Sequence, residues 1–146
     1  MPTYYVATAV ERLSAAARHE IAAAISRLHS EVTGAPAFFA QVIFTEIAPG
    51  NHFVGGMRAN ADAVFIHGQL RAGRTSAQKR DLLVRIVAAV GAATRIPQGL
   101  IWAYLSELPP TQMIEYGHLL PEPGKEDLWL ESLPAAERAY IEKAGK

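Results

Sequence analysis

Pro2 directly follows the initiator methionine, and a small residue in second position favours removal of Met1. The product would carry a secondary amine held by a rigid ring at the chain terminus. An α-amino group titrates near about 7.7–8.0 when unperturbed, so a pocket can make it a general acid or a general base close to neutral pH. The ordinary reading is that the proline merely follows an unremarkable start. Arg71 and Arg74 sit in the run Arg71-Ala72-Gly73-Arg74, directly before a helix start at Thr75. Two planar, forked guanidiniums beside a helix N-terminus suit a carboxylate, although a solvated basic loop looks the same in sequence. Tyr104 alternates with Trp102 on one face of a strand, and Glu115 follows the pair Pro109 and Pro110. A phenol and a carboxylate brought together can activate water, but the spacing does not require that they meet. His29 lies next to Leu28 near the end of a helix, where structural and surface histidines are common.

The elements that must position these residues form two similar halves. Thr3 to Ala9 is a short β-rich run. Ser14 to Thr33 is a helix, because Ile21, Ile25, Leu28 and Val32 make one apolar stripe. Ser14 serves as N-cap and Gly34 as stop. Phe38 to Ile47 is aromatic and β-branched and is expected to be a strand, broken by Pro49, Gly50 and Asn51. The order then repeats. Ala63 to Gly68 is a strand, and Thr75 to Thr94 a helix with Leu82, Leu83, Ile86, Val87 and Val90 on its apolar side. Thr75 and Gln78 form a capping box, Pro97 ends the helix, and Leu100 to Leu108 closes the unit. A shift of about 61 positions lays Ser14 on Thr75, Ile21 on Leu82 and Ile25 on Ile86.

This is an α/β (α+β) fold, a tandem βαβ repeat. It gives a four-stranded, mainly parallel sheet with two helices on one face. The whole chain, residues 1–146, is expected to be one domain: halves at about 1–60 and 61–108, and a C-terminal arm at 109–146 that wraps a neighbour or closes a pocket. Phe44 and Trp102 are expected on the uncovered sheet face, which calls for other copies of the chain.

Composition narrows the classes. Basic and acidic side chains number 14 each, so the net charge is zero and a broad nucleic-acid surface is not expected. With no cysteine, disulfides, thiol nucleophiles and thiolate metal sites are excluded. No run is apolar for long enough to span a bilayer and no secretion signal is legible, so a cytoplasmic protein without a membrane partner is expected.

Taken together, these residues resemble the cis-3-chloroacrylic acid dehalogenase family of the tautomerase superfamily. The similarity runs over nearly the whole chain. It includes Pro2-Thr3-Tyr4, Ala40-Gln41-Val42, the Arg71 to Thr75 loop, Ile101-Trp102-Ala103-Tyr104 and Glu115-Tyr116-Gly117, and continues through Leu120-Pro121-Glu122-Pro123-Gly124 to Trp129. The family's site residues map onto Pro2, His29, Arg71, Arg74, Tyr104 and Glu115.

The resemblance implies a homotrimer with no metal or organic cofactor, acting on a small-molecule carboxylate by hydrolytic dehalogenation through hydration. Arg71 and Arg74, helped by His29, would hold the carboxylate. Glu115, assisted by Tyr104, would activate water for attack at C3, and protonated Pro2 would protonate C2. Ala35, Pro36 and Ala37 stand where the family pattern is more polar, so low or broad activity is expected, with promiscuous enol–keto tautomerase activity. A phenylpyruvate-type tautomerase and a non-catalytic interaction protein on the same fold are the alternatives.

Overall fold

A computed structural model describes residues 2–144 of the chain; Met1, whose removal the sequence suggests, lies outside them. Strand β1 (Thr3–Ala9) leads to helix α1 (Ala15–Thr33) and strand β2 (Gln41–Ile47). A short hairpin, β3 (Phe53–Val54) with β4 (Met57–Arg58), precedes β5 (Val64–Arg71), α2 (Ser76–Thr94) and β6 (Ile101–Leu108). The remaining chain forms a second hairpin, β7 (Ile114–Glu115) with β8 (His118–Leu119), and helices α3 (Glu126–Ser132) and α4 (Ala135–Ala144).

Local chemistry sets the helix limits. The Ser14 hydroxyl accepts a hydrogen bond from the Ala17 amide at 3.2 Å, and Gly34 ends α1 in the left-handed region at φ 73°. Thr75 and Gln78 exchange the two bonds of a capping box at 3.1 and 3.0 Å. The Gln78 amide also donates to the Val32 carbonyl at 3.0 Å, which ties the start of α2 to the end of α1.

The four long strands run in the order β2-β1-β5-β6. The outer pairs β1–β2 and β5–β6 are parallel, whereas the central pair β1–β5 is antiparallel. Each βαβ half is therefore parallel within itself, and the halves join head to tail. Tyr4, Val6, Val64, Ile66 and Leu70 point from the sheet into one core against Ile21, Ile25, Leu82 and Ile86 of the two helices. The other face stays open, with Tyr5, Trp102 and Tyr104 exposed.

Several expectations shift. Phe44 pairs with Val6 in register and packs against the helix-side core, so it does not belong to the open face; strand parity puts it beside a buried valine. The predicted strand from Phe38 begins only at Gln41, because Ala37–Phe39 forms a 3-10 turn that buries Phe39. There Phe39 meets Leu120, with Phe38, Met113 and Trp129 packed around them. Residues 109–144 thus fold back over their own chain.

Gly68 marks the tightest place in the sheet. It lies opposite Tyr4 in the central ladder, and a Cβ there would stand 2.6 Å from Tyr4 Cε1 and 2.7 Å from Leu105 Cδ2. Gly68→Ala is expected to cost about 1–3 kcal/mol, read as a lowered denaturation midpoint at unchanged m. Gly99→Ala has no heavy atom within 4 Å of its new Cβ and should stay within about 0.5 kcal/mol of the parent.

Candidate active site

Because β1 and β5 are antiparallel, Thr3 at the start of β1 pairs with Gln69 near the end of β5. Pro2 is buried beside this end of the sheet, with its carbonyl accepting from the Gln41 amide at 2.9 Å. Arg71 is the last residue of β5. After it the chain turns through Gly73, at φ 109°, where a Cβ would stand 2.9 Å from Pro123 Cγ. That turn delivers Arg74 to the start of α2.

Arg71 is 1 % exposed. Its Nη1 donates to the Pro121 carbonyl at 2.6 Å, and its Nη2 forms an ion pair with Glu126. The Arg71 Nε and the half-buried Arg74 Nε are both shielded from solvent and have no hydrogen-bond partner among the described residues. An anion is the kind of partner that two such cationic donors could take.

His29 comes to the same place from the last turns of α1. It is 3 % exposed, and its Nδ1 shares a 2.9 Å hydrogen bond with the Tyr4 hydroxyl. Burial, then the positive charges of Arg74 and Arg71, hold the imidazole down at about 3. It is therefore neutral at physiological pH. Burial likewise raises Tyr4, only partly opposed by Arg74, so its hydroxyl keeps its proton. An anion would meet two cations and a neutral ring.

Glu115, on β7, lines a neighbouring cleft of about 650 Å³ together with Thr3, Gln41, Phe38, Phe39 and Tyr116. The Tyr116 hydroxyl donates to the Phe38 carbonyl at 3.0 Å, which steadies one wall. Glu115 thus sits across a cavity whose rim includes the residue after Pro2.

Tyr104 is not brought to this cluster within one chain. It pairs with His67, four residues before Arg71 and so about 13 Å back along the strands. It lies half-exposed on the open face, edge-on to Phe65 at 5.2 Å. There it lines a separate depression of about 470 Å³ with Trp102, Phe53 and Val54.

Tyr4 and Glu126 were not singled out by sequence reasoning. Alternation along β1 does place Tyr4 on the buried face, which was the available signal. Glu126 carries none, since its partner is 55 positions away. Among the described residues no group of three or more His, Cys, Asp or Glu side chains could hold a metal.

The neutral His29 has a measurable consequence. It titrates near 6.5 when unfolded and about 3 when folded. Between those values the unfolded chain binds a proton that the folded chain does not. Stability is therefore expected to fall as pH drops through this window, by up to about 1.4 kcal/mol per pH unit from this group. Denaturation curves collected from about pH 7 to about pH 4 should show the slope, and His29→Gln should flatten it. An unchanged slope in that variant would assign the proton to another group.

Comparison with known proteins agrees with the geometry. Residues 1–132 match the family model described as "Putative oxalocrotonate tautomerase enzyme". No curated protein sequence matches the chain. Among solved structures, N1, a member of the cis-3-chloroacrylic acid dehalogenase family, is 35 % identical with a TM-score of 0.94 over 97 % of this chain and 99 % of its own. The protein Ps01740 is 31 % identical with a TM-score of 0.73, covering 77 % of this chain and 99 % of its own. A fused 4-OT asymmetric trimer shares the fold at 21 % identity and a TM-score of 0.73, over 80 % of this chain and 94 % of its own. With its paired βαβ halves and its cluster at the start of β1, the chain belongs to the cis-3-chloroacrylic acid dehalogenase family of the tautomerase superfamily.

Proposed function

We propose that the protein is a cofactor-independent hydratase and dehalogenase for small 3-substituted unsaturated carboxylates, with enol–keto tautomerase activity at the same site. The observation that carries this reading is the convergence of Pro2, His29, Arg71 and Arg74 at one end of the sheet, beside the cleft that holds Glu115. The unpartnered, buried Nε atoms of Arg71 and Arg74 give a substrate carboxylate its donors. Drawing electron density toward that carboxylate makes C3 electrophilic and stabilises the enediolate that forms on attack.

In the hydration reaction, Glu115 takes a proton from water as the water oxygen bonds to C3. Protonated Pro2 then gives its proton to C2, completing the addition. With halogen on C3 the product is a halohydrin, which expels halide and a proton to leave malonate semialdehyde. These steps require Met1 to be absent, so that Pro2 carries an amine. Ketonisation uses the arginines and Pro2 but needs no activated water.

Tyr104 enters through assembly. It lies on the open face with Tyr5 and Trp102, the surface a second copy must cover. A trimer, as in the fused 4-OT structure, would cover this face and carry Tyr104 toward a neighbour's Glu115. A tautomerase-led reading is favoured by one feature of the cleft: Phe38, Phe39 and Tyr116 give it an aromatic wall suited to an aryl enol.

Separate assays of hydration and ketonisation test the assignment. Arg74→Ala should damage both, because both need the anion held. Glu115→Gln should lower hydration by about 100-fold or more, while ketonisation of a phenylpyruvate-type enol falls by less than about threefold. Equal losses in the two reactions would overturn the role given to Glu115.

A further inference from the structure

The anion site already contains a carboxylate of its own. Glu126, in the first turn of α3, is paired with Arg71 through Nη2, and the side chains are 13 % and 1 % exposed. The Pro121 carbonyl takes the other end of the same guanidinium at 2.6 Å. One edge of the Arg71 fork is thus occupied by the chain itself, and its Nε is left over. A pair this deep is poorly screened by salt, so its charges count at the site. Burial pushes the Glu126 carboxyl up, but the Arg71 hydrogen bond and backbone amides outweigh it and hold the group below its usual range. Glu126 is ionised whenever the site works near neutral pH.

We propose that Glu126 sets the charge class of the substrate: by offsetting one of two guanidiniums, it makes the site selective for monocarboxylates over dicarboxylates. The inference rests on the reading that Arg71 and Arg74 hold a carboxylate. Two guanidiniums against one carboxylate leave a single net positive charge. His29 and Tyr4 are neutral, for the reasons given above. Glu107 accepts from the Arg74 amide, but its charge is matched by Lys79 at 2.7 Å. Lys125 and Asp127, flanking Glu126, are exposed and opposite in sign. In the proposed chemistry the Pro2 ammonium and the Glu115 carboxylate offset each other. One substrate carboxylate therefore neutralises the site. A second would enter a buried region with no cation to meet it and with Glu126 close by.

The test uses two small unsaturated anions, acrylate and maleate, the second adding a cis carboxylate at C3. They are titrated into the protein at about pH 8, where both are fully ionised, with binding followed by amide NMR shifts and any turnover followed separately. Wild type should bind acrylate at least about tenfold more tightly than maleate, the effect expected of one poorly screened charge. Glu126→Gln keeps an acceptor for Arg71 but removes the charge, and should shift the ratio toward maleate by about tenfold. Glu126→Asp keeps the charge and should retain the wild-type preference. Loosening of the arm would weaken both anions together and leave the ratio unmoved. A ratio unchanged in Glu126→Gln, or wild type binding maleate as tightly as acrylate, would overturn the charge-selection role alone. The wild-type comparison decides the matter if the glutamine variant fails to fold. Failure of wild type to bind either anion would overturn the carboxylate site itself and this inference with it.

Discussion

Strands β1 and β5 run antiparallel at the centre of the sheet, and the site follows from that pairing. If the two βαβ halves were joined in parallel, the start of β1 and the end of β5 would lie at opposite ends of the molecule. Antiparallel register brings Thr3 beside Gln69, and so Pro2 beside the strand end that carries Arg71. The helices follow the same logic. The end of α1 meets the start of α2 through Gln78 and Val32, which sets His29 near Arg74.

Concentrating two arginines at a buried strand end is costly, and the surroundings are arranged around that cost. His29 contributes no further charge, because burial and the neighbouring guanidiniums keep it neutral. The polypeptide beyond β6 supplies an ionised carboxylate and a carbonyl to Arg71. It holds its place through an aromatic and aliphatic contact that joins Phe39, Leu120 and Trp129. The arm is therefore part of the site's electrostatics as well as its cover. Its hairpin carries Glu115 to the cleft beside Thr3, so one segment supplies both the counter-ion of Arg71 and the carboxylate to which we assign water activation.

Much of this was legible from sequence because it depends on local patterns. Ser14, Gly34, Thr75 and Gln78 fixed the helix limits through backbone hydrogen bonding, and the stripe of Ile21, Ile25 and Leu28 chose the buried face. Relations between distant segments were harder to read. The β3–β4 hairpin is two residues on each side, too short for a period to show. Phe44 lies on the helix side and not on the open face because its face is set by pairing with Val6 on another strand, a relation that β2 alone does not carry. The Arg71–Glu126 pair joins residues with no shared pattern. The candidate residues stood out by type and spacing and were joined into one site by resemblance, and the fold brings Pro2, His29, Arg71 and Arg74 together in one chain. Tyr104 stood out in the same way, yet lies on the open face, so the part proposed for it calls for a second copy.

At the centre of this account is an amine at Pro2 that arrives protonated. In this reading Arg71 and Arg74 would repel that proton and Glu115 would attract it, and the use of Glu115 to activate water calls for the attraction to win. The most direct test is a nitrogen NMR titration of Pro2 in active protein whose mass shows that Met1 is gone. The expected result is a secondary amine that is mostly protonated at neutral pH and loses activity for hydration as it deprotonates. A fully active protein that retains Met1 would contradict the account, because an amide nitrogen at Pro2 can neither hold nor deliver the proton.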